Sequence, residues 1–383
     1  MKYKTASLAI MIMAAVCYPV HSAADDSDSG RALRLGASWT GDMARSLAGG
    51  LRQGSAFLGM ARFSANLDTE LSGLWRDGLF GASVVRTIGA MPSSDMFGDA
   101  QVTSNIEAGE HTFLMEFWVR QRFGTAEITA GLHDLNTIFA VSESGALFLN
   151  SSFGIMPVIT GNLPAPVYPL TSPGISLVLD IGSTCSLAAA LFDGRPTPFE
   201  SNPFNTRWKF TKGDGIIALS EFRIYKEFNG FSGEFKAGVF THNHFIEKLF
   251  RSELPDTICS PTVGAYFKAD QTVWRSGTRQ AALFMQAGYT PSRESFIDLT
   301  AAMGVNVTGL FAGRENDAAG LAVTTGRFTG GAGCETAIEL TYRINFNGHT
   351  YLQPDLQYII HPSGRQSGIP HCLACFLRLG VSL

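Results

Sequence analysis

Glu116, Trp118, Arg120 and Arg122 stand two residues apart in HTFLMEFWVRQRF, residues 111–123. Extended backbone carries side chains two apart to one face, so a carboxylate, an indole and two guanidiniums would share a surface. Such a set contains no activated nucleophile. It offers charge-assisted hydrogen bonds and an aromatic face, which hold a polar solute without changing it. Arg86 is expected on the neighbouring strand, beside them. Taken singly, each charge is an ordinary residue of a watered face, balanced by its neighbours. Together they read as a surface for solute contact.

Other chemistry is less well provided for. THNHF at 241–245 spaces His242 and His244 so that one strand face could offer both to a metal, with Glu247 nearby, yet no third ligand is fixed and a solvated loop is the simpler reading. HCLAC at 371–375 has a Cys-x-x-Cys spacing, but Phe376 follows where haem attachment needs histidine, and on a strand Cys372 and Cys375 point to opposite faces. There is no GxSxG elbow and no GxxxxGK[ST] loop. The chain reads as a non-enzyme with no cofactor and no bound metal.

The elements that position these residues alternate with a period of two. From Ala61 to Leu71, Ala61, Phe63, Ala65, Leu67, Thr69 and Leu71 oppose Arg62, Ser64, Asn66, Asp68 and Glu70. In 111–123, Phe113, Met115, Phe117, Val119 and Phe123 oppose Thr112, Leu114, Glu116, Trp118, Arg120 and Arg122. Ile338, Leu340, Tyr342, Ile344 and Phe346 oppose Glu335, Glu339, Thr341, Arg343 and Asn345, and the chain closes with Leu377, Leu379, Val381 and Leu383 against Arg378 and Ser382. A strand with one apolar and one polar face, repeated along a chain, meets hydrocarbon on one side and water on the other. Short turns, at Asp77-Gly78, Gly124-Thr125, Gly182-Ser183, Asn229-Gly230 and Asn347-Gly348, alternate with long connections at 91–110, 135–173, 194–214 and 243–260. This predicts an all-β chain: a transmembrane antiparallel barrel of about 16 strands, one of them over 261–270, with the long loops at the end opposite both termini.

The N-terminus has the layout of an export signal: Lys2 and Lys4, an apolar run from Ala6 to Val16, then small residues from Ser22 to Ala24. Residues 1–23 are read as a cleaved signal peptide and 24–383 as one barrel domain. No later stretch approaches the roughly 18 apolar residues of a membrane helix. Without Lys2 and Lys4 the chain has 27 Lys and Arg against 33 Asp and Glu, a formal charge of −6, so nucleic-acid binding gains no support. Five cysteines remain, an odd number that leaves at least one thiol unless chains cross-link.

Three segments resemble the carbohydrate-selective porin (OprB-type) family of Gram-negative outer membranes: VTSNIEAGEHTFLMEFWVRQRF at 102–123, FAVSESGALFLNSSFG at 139–154 and ETAIELTYRINFNGHTYLQPDLQYIIHPSG at 335–364. The resemblance implies a 16-stranded outer-membrane barrel, often trimeric, that passes glucose and other sugars by facilitated diffusion, with loops folded inward to narrow the channel. It places the constriction at Asn105, Ile106 and Glu107 and at Ser142, Glu143, Phe148, Asn150 and Ser151, beside Glu116, Trp118, Arg120 and Arg122. Leu383 stands where such barrels commonly end in an aromatic residue, and the cysteines depart from the pattern. The expected partners are outer-membrane lipid and sugars or other small hydrophilic solutes. The rival readings are a general porin for small polar or anionic solutes, a barrel enzyme, an energy-coupled receptor, which would need around 22 strands and a plug, and a soluble secreted β protein.

Overall fold

The computed structural model describes residues 30–210, 213–243, 261–292 and 295–383. The expected signal segment 1–23, His244, Glu247 and Cys259 lie outside them. Sixteen strands run from β1 (Leu33–Ala48) to β16 (Cys372–Ser382), each paired antiparallel with its neighbours in chain order, and β1 pairs with β16 to close the barrel. Closure leaves no strand edge without hydrogen bonds, which a bilayer would not forgive.

Outward rows are apolar and exposed, with Leu35, Phe63, Met303, Leu340 and Leu377 among them. Inward rows are mostly buried, because the loops fill the space they enclose, and they mix polar groups with apolar patches on which the loops pack. The first inner loop, 90–110, joins β3 (Gly78–Gly89) to β4 (His111–Phe123), and the second, 134–171, joins β5 (Ala126–His133) to β6 (Ser172–Ile181). Their apolar side chains form the core inside the barrel: Phe97 and Ile106 pack on Leu58, Val85 and Phe376, while Phe139, Val158 and Ile159 pack on Phe192, Ile217, Leu219 and Phe240. Each phenylalanine sequestered there contributes about 1.5–3 kcal/mol.

Three expectations need correction. Alternation from Ala61 stops at Asp68, where β2 (Gly54–Asp68) ends, and Thr69 is buried in the turn with its hydroxyl donating to the Trp75 carbonyl. β10 (Thr262–Ser276) runs six residues past the expected end at 270, across a register shift between Thr272 and Trp274. In β4 the pairing with β3 shifts between Ser83 and Val84, so Met115 is an extra residue. Such a bulge reverses the facing of the strand beyond it. Phe113 and Met115 therefore turn inward to the loop core together with Glu116, and only Phe117 and the residues after it keep the outward row.

Candidate functional site

The loops are held by the wall through their main chain. Glu339 of β14 (Gly333–Asn345) accepts from the N–H groups of Leu149 (2.6 Å) and Asn150 (3.0 Å), and Glu335 accepts from those of Ala100 (2.9 Å) and Gln101 (3.0 Å). Asp270 takes the Ser144 N–H and the Ser142 hydroxyl, and Glu221 takes the Ala140 N–H. From the other side, Lys236, Lys268, Gln286, Gln353 and Gln357 donate to the carbonyls of Val141, Gly154, Ser152, Leu147 and Thr103. Buried carboxylates survive only when several donors surround them. Here loop backbone supplies those donors, so seating the loops and satisfying the wall are one event.

Two spaces result. Between the loops at the far end lies a cavity of about 790 Å³ lined by Asn105, Glu107, Asp134, Asn136, Tyr168 and Arg195 among others. Both carboxylate oxygens of Glu107 accept the Ser93 N–H at 3.2 Å. Burial pushes the Glu107 carboxyl up to about 7, against those hydrogen bonds and with the Asp95 charge adding to the rise.

The second space is the lumen at the end bearing the termini. Along β4 the inward row becomes wetter: side-chain exposure climbs from 9% at Glu116 to 51% at Arg122. Every charge in the row has a partner. Arg62 pairs with Glu116, which also accepts from the Ser83 hydroxyl at 3.0 Å; Arg120 pairs with Glu127 at 3.4 Å, and Arg122 with Asp180 at 2.7 Å. The Arg120 guanidinium lies over the Trp118 ring, 4.8 Å from its centroid. Gly81, directly opposite on β3, lets the indole lie against the wall: a Cβ there would sit 2.3 Å from a Trp118 ring carbon. The result is a flat platform with nearly balanced charge.

The expected site residues divide accordingly. Glu116, Trp118, Arg120 and Arg122 share the lower lumen, whereas Asn105 and Glu107 line the upper cavity. Glu143 is exposed on the second inner loop, within the influence of Glu234, Asp270 and Lys236. Asn150 is buried: it accepts from the Ser152 N–H to cap the one-turn helix Ser151–Gly154 and donates to Gln357, so it anchors the loop rather than meeting solute. Arg86 lies in the outward row of β3 with Val84 and Ile88, its guanidinium donating to Thr112 at 3.1 Å, and leaves the set. Sequence reading passed over Arg62, Glu127 and Asp180 as partners; opposite charge on the polar faces of nearby strands, the next one for Glu127 and the next but one for Arg62 and Asp180, is the signal that points to them.

The expected metal ligands do not assemble. His242 is buried and bonded to the Gly194 carbonyl at 3.0 Å, and among the described residues no three His, Cys, Asp or Glu side chains gather as a metal site. Cys372 faces inward and Cys375 outward, and Cys185, Cys334, Cys372 and Cys375 are free thiols.

A closed barrel of 16 strands with long loops folded into a polar lumen is the architecture of a porin, a channel rather than an enzyme. The sequence profile described as "Carbohydrate-selective porin, OprB family" matches residues 52–382. The chain belongs to this family, and membership implies the Gram-negative outer membrane and passage of small solutes. Its fold is similar to that of Pseudomonas putida OprB at high pH, with a TM-score of 0.82 at 18% identity over 92% of this chain and 94% of that one. Salmonella typhi OmpF in complex with daunomycin is more remote, at a TM-score of 0.56 and 10% identity over 92% and 97%. No curated protein matches by sequence.

Proposed function

We propose that the channel carries neutral, glucose-like sugars by facilitated diffusion, with Trp118, Arg120, Arg122 and Glu116 as the contact surface. The single observation behind this reading is the Arg120 guanidinium held over the Trp118 face in a row whose charges are all paired. A sugar presents C–H surface on its ring faces and hydroxyls at its edge. An aromatic plane flanked by fixed donors and acceptors suits both, and charge balance avoids holding ions in preference.

The test is swelling of liposomes loaded with the purified barrel and challenged with glucose, an amino acid of similar size and a small organic anion. Glucose should enter faster than the other two, and its flux should saturate. Equal rates without saturation would overturn the sugar reading and leave a general porin for small polar or anionic solutes.

A further inference from the structure

A second Arg-on-aromatic platform stands on another part of the wall. Arg343 of β14 lies over the ring of Tyr351 of β15 (Thr350–Ile360), with its guanidinium carbon 4.0 Å from the centroid. Arg343 and Tyr351 are half-buried and lie close to the ends of their strands, at the end that also holds Trp118. A glycine again stands opposite the ring: Gly380 pairs with Tyr351, and a Cβ on it would come within 2.1 Å of that ring. This repeats the pairing of Gly81 with Trp118, with β3, β2, β1 and β16 lying between the two platforms. An aromatic side chain laid flat over a paired glycine is a held geometry, and here each ring fixes one guanidinium.

The surroundings differ in one respect. The first platform's charges are answered by Glu127 and Asp180, whereas the second is bordered by buried polar atoms without a partner: Arg343 Nε, the Tyr351 hydroxyl and, beneath them, Gln353 Oε1. The register puts Arg343 across from Gln353, since Thr341 pairs with Asp355 and Ile344 with Leu352. One donor, one hydroxyl and one acceptor are thus adjacent, and leaving such buried groups unmatched is unfavourable. Arg343 and Tyr351 are half-buried, and rotation of their side chains would present the first two to a solute with several hydroxyls close together.

We propose that Arg343 and Tyr351 form a second binding station for a neutral polyhydroxylated solute such as a sugar ring. This rests on the sugar-channel reading above. A permeating sugar would exchange between two weak stations, which keeps occupancy compatible with release.

Glucose is the probe, and the readouts are the half-saturation of its flux in proteoliposomes and ion preference in planar bilayers. Tyr351→Leu leaves charge unaltered, and Arg343→Lys keeps the charge but removes the planar fork. Each should raise the half-saturation about two- to fivefold, the loss expected of one cation–π or stacking contact, with ion preference unchanged. Tyr351→Phe, which preserves the platform, should shift it less than Tyr351→Leu and serves if the leucine variant fails to fold. Combining Tyr351→Leu with Trp118→Leu should abolish saturation that either alone only weakens. Unaltered half-saturation in Arg343→Lys and in both Tyr351 variants, with Trp118→Leu still impaired, would overturn the second station and spare the sugar-channel reading. Absence of saturation in the parent would overturn that reading, and the station with it.

Discussion

The two halves of this lumen use the same alternating strand pattern to opposite ends. In the loop half, inward Glu335, Glu339, Asp270 and Glu221 are buried and spend their acceptor capacity on loop N–H groups. In the half bearing the termini, inward Arg120, Arg122, Glu127 and Asp180 are partly exposed and pair with one another. What distinguishes them is the partner that reaches the wall: folded backbone makes a seat, and water makes a channel surface.

The largest break in that contrast should come from the seat. Glu339→Ala leaves the Leu149 and Asn150 N–H groups buried and unmatched, at about 1–3 kcal/mol each. Single-channel conductance should rise as the second inner loop loosens, and the barrel should lose its heat-modifiable, compact form at a temperature several degrees lower. Unchanged values of both would show that the loop is held elsewhere. Next in size, replacing Arg120 and Arg122 together by alanine leaves Glu127 and Asp180 without their partners in a narrow passage. Selectivity should swing toward cations and glucose flux should lose saturation at low concentration, while the barrel still folds. Reversal potentials in a salt gradient and swelling rates measure the two effects.

A smaller effect concerns the upper cavity, where the Glu107 carboxyl ionises at about 7 rather than 4.5. Below that value it is neutral, so cation preference should increase as pH passes upward through 7, and Glu107→Gln should flatten the change. Stability follows with a definite sign. Between 4.5 and 7 the native carboxyl keeps a proton that the unfolded chain has released, so this group's contribution falls as pH rises across that window and stays low above it. The glutamine variant should lose less stability over the same interval, as read by thermal unfolding in detergent. The smallest change should follow Arg86→Gln, because that side chain lies on the outer surface: conductance, ion preference and sugar flux should stay at parent values, and any shift in selectivity would return Arg86 to the lumen.

Much of this was legible from periodicity. The 16 strands fall close to where alternation and turn residues place them, the ends of β2 and β10 apart, and the last strand shows Leu377 and Leu379 outside with Arg378 inside as its pattern demands. The misreadings have a common physical origin. A period of two fixes faces only relative to one another, so the extra residue at Met115 changed the side taken by Phe113 without leaving a mark in composition. Arg86 was misassigned because an arginine beside polar strands was taken to face water inside the barrel, although near the rim of an outward row it reaches Thr112 instead. Asn150 lay in a segment rightly expected to fold inward, but sequence alone could not separate the side of that loop that meets the wall from the side that meets solute. The second platform was hidden because Arg343 and Tyr351 are brought together by strand pairing, not by spacing along one strand.

The grip on the inner loops has a consequence for how such a channel can change over generations. Wall carboxylates, amides and lysines hold peptide N–H and C=O groups, which every residue but proline supplies in full. Side chains pointing away from the wall are therefore free to vary without unfastening the loop that carries them. The frame and the filter can be inherited separately, so a lineage could retune what it imports by point substitution while keeping one assembly route.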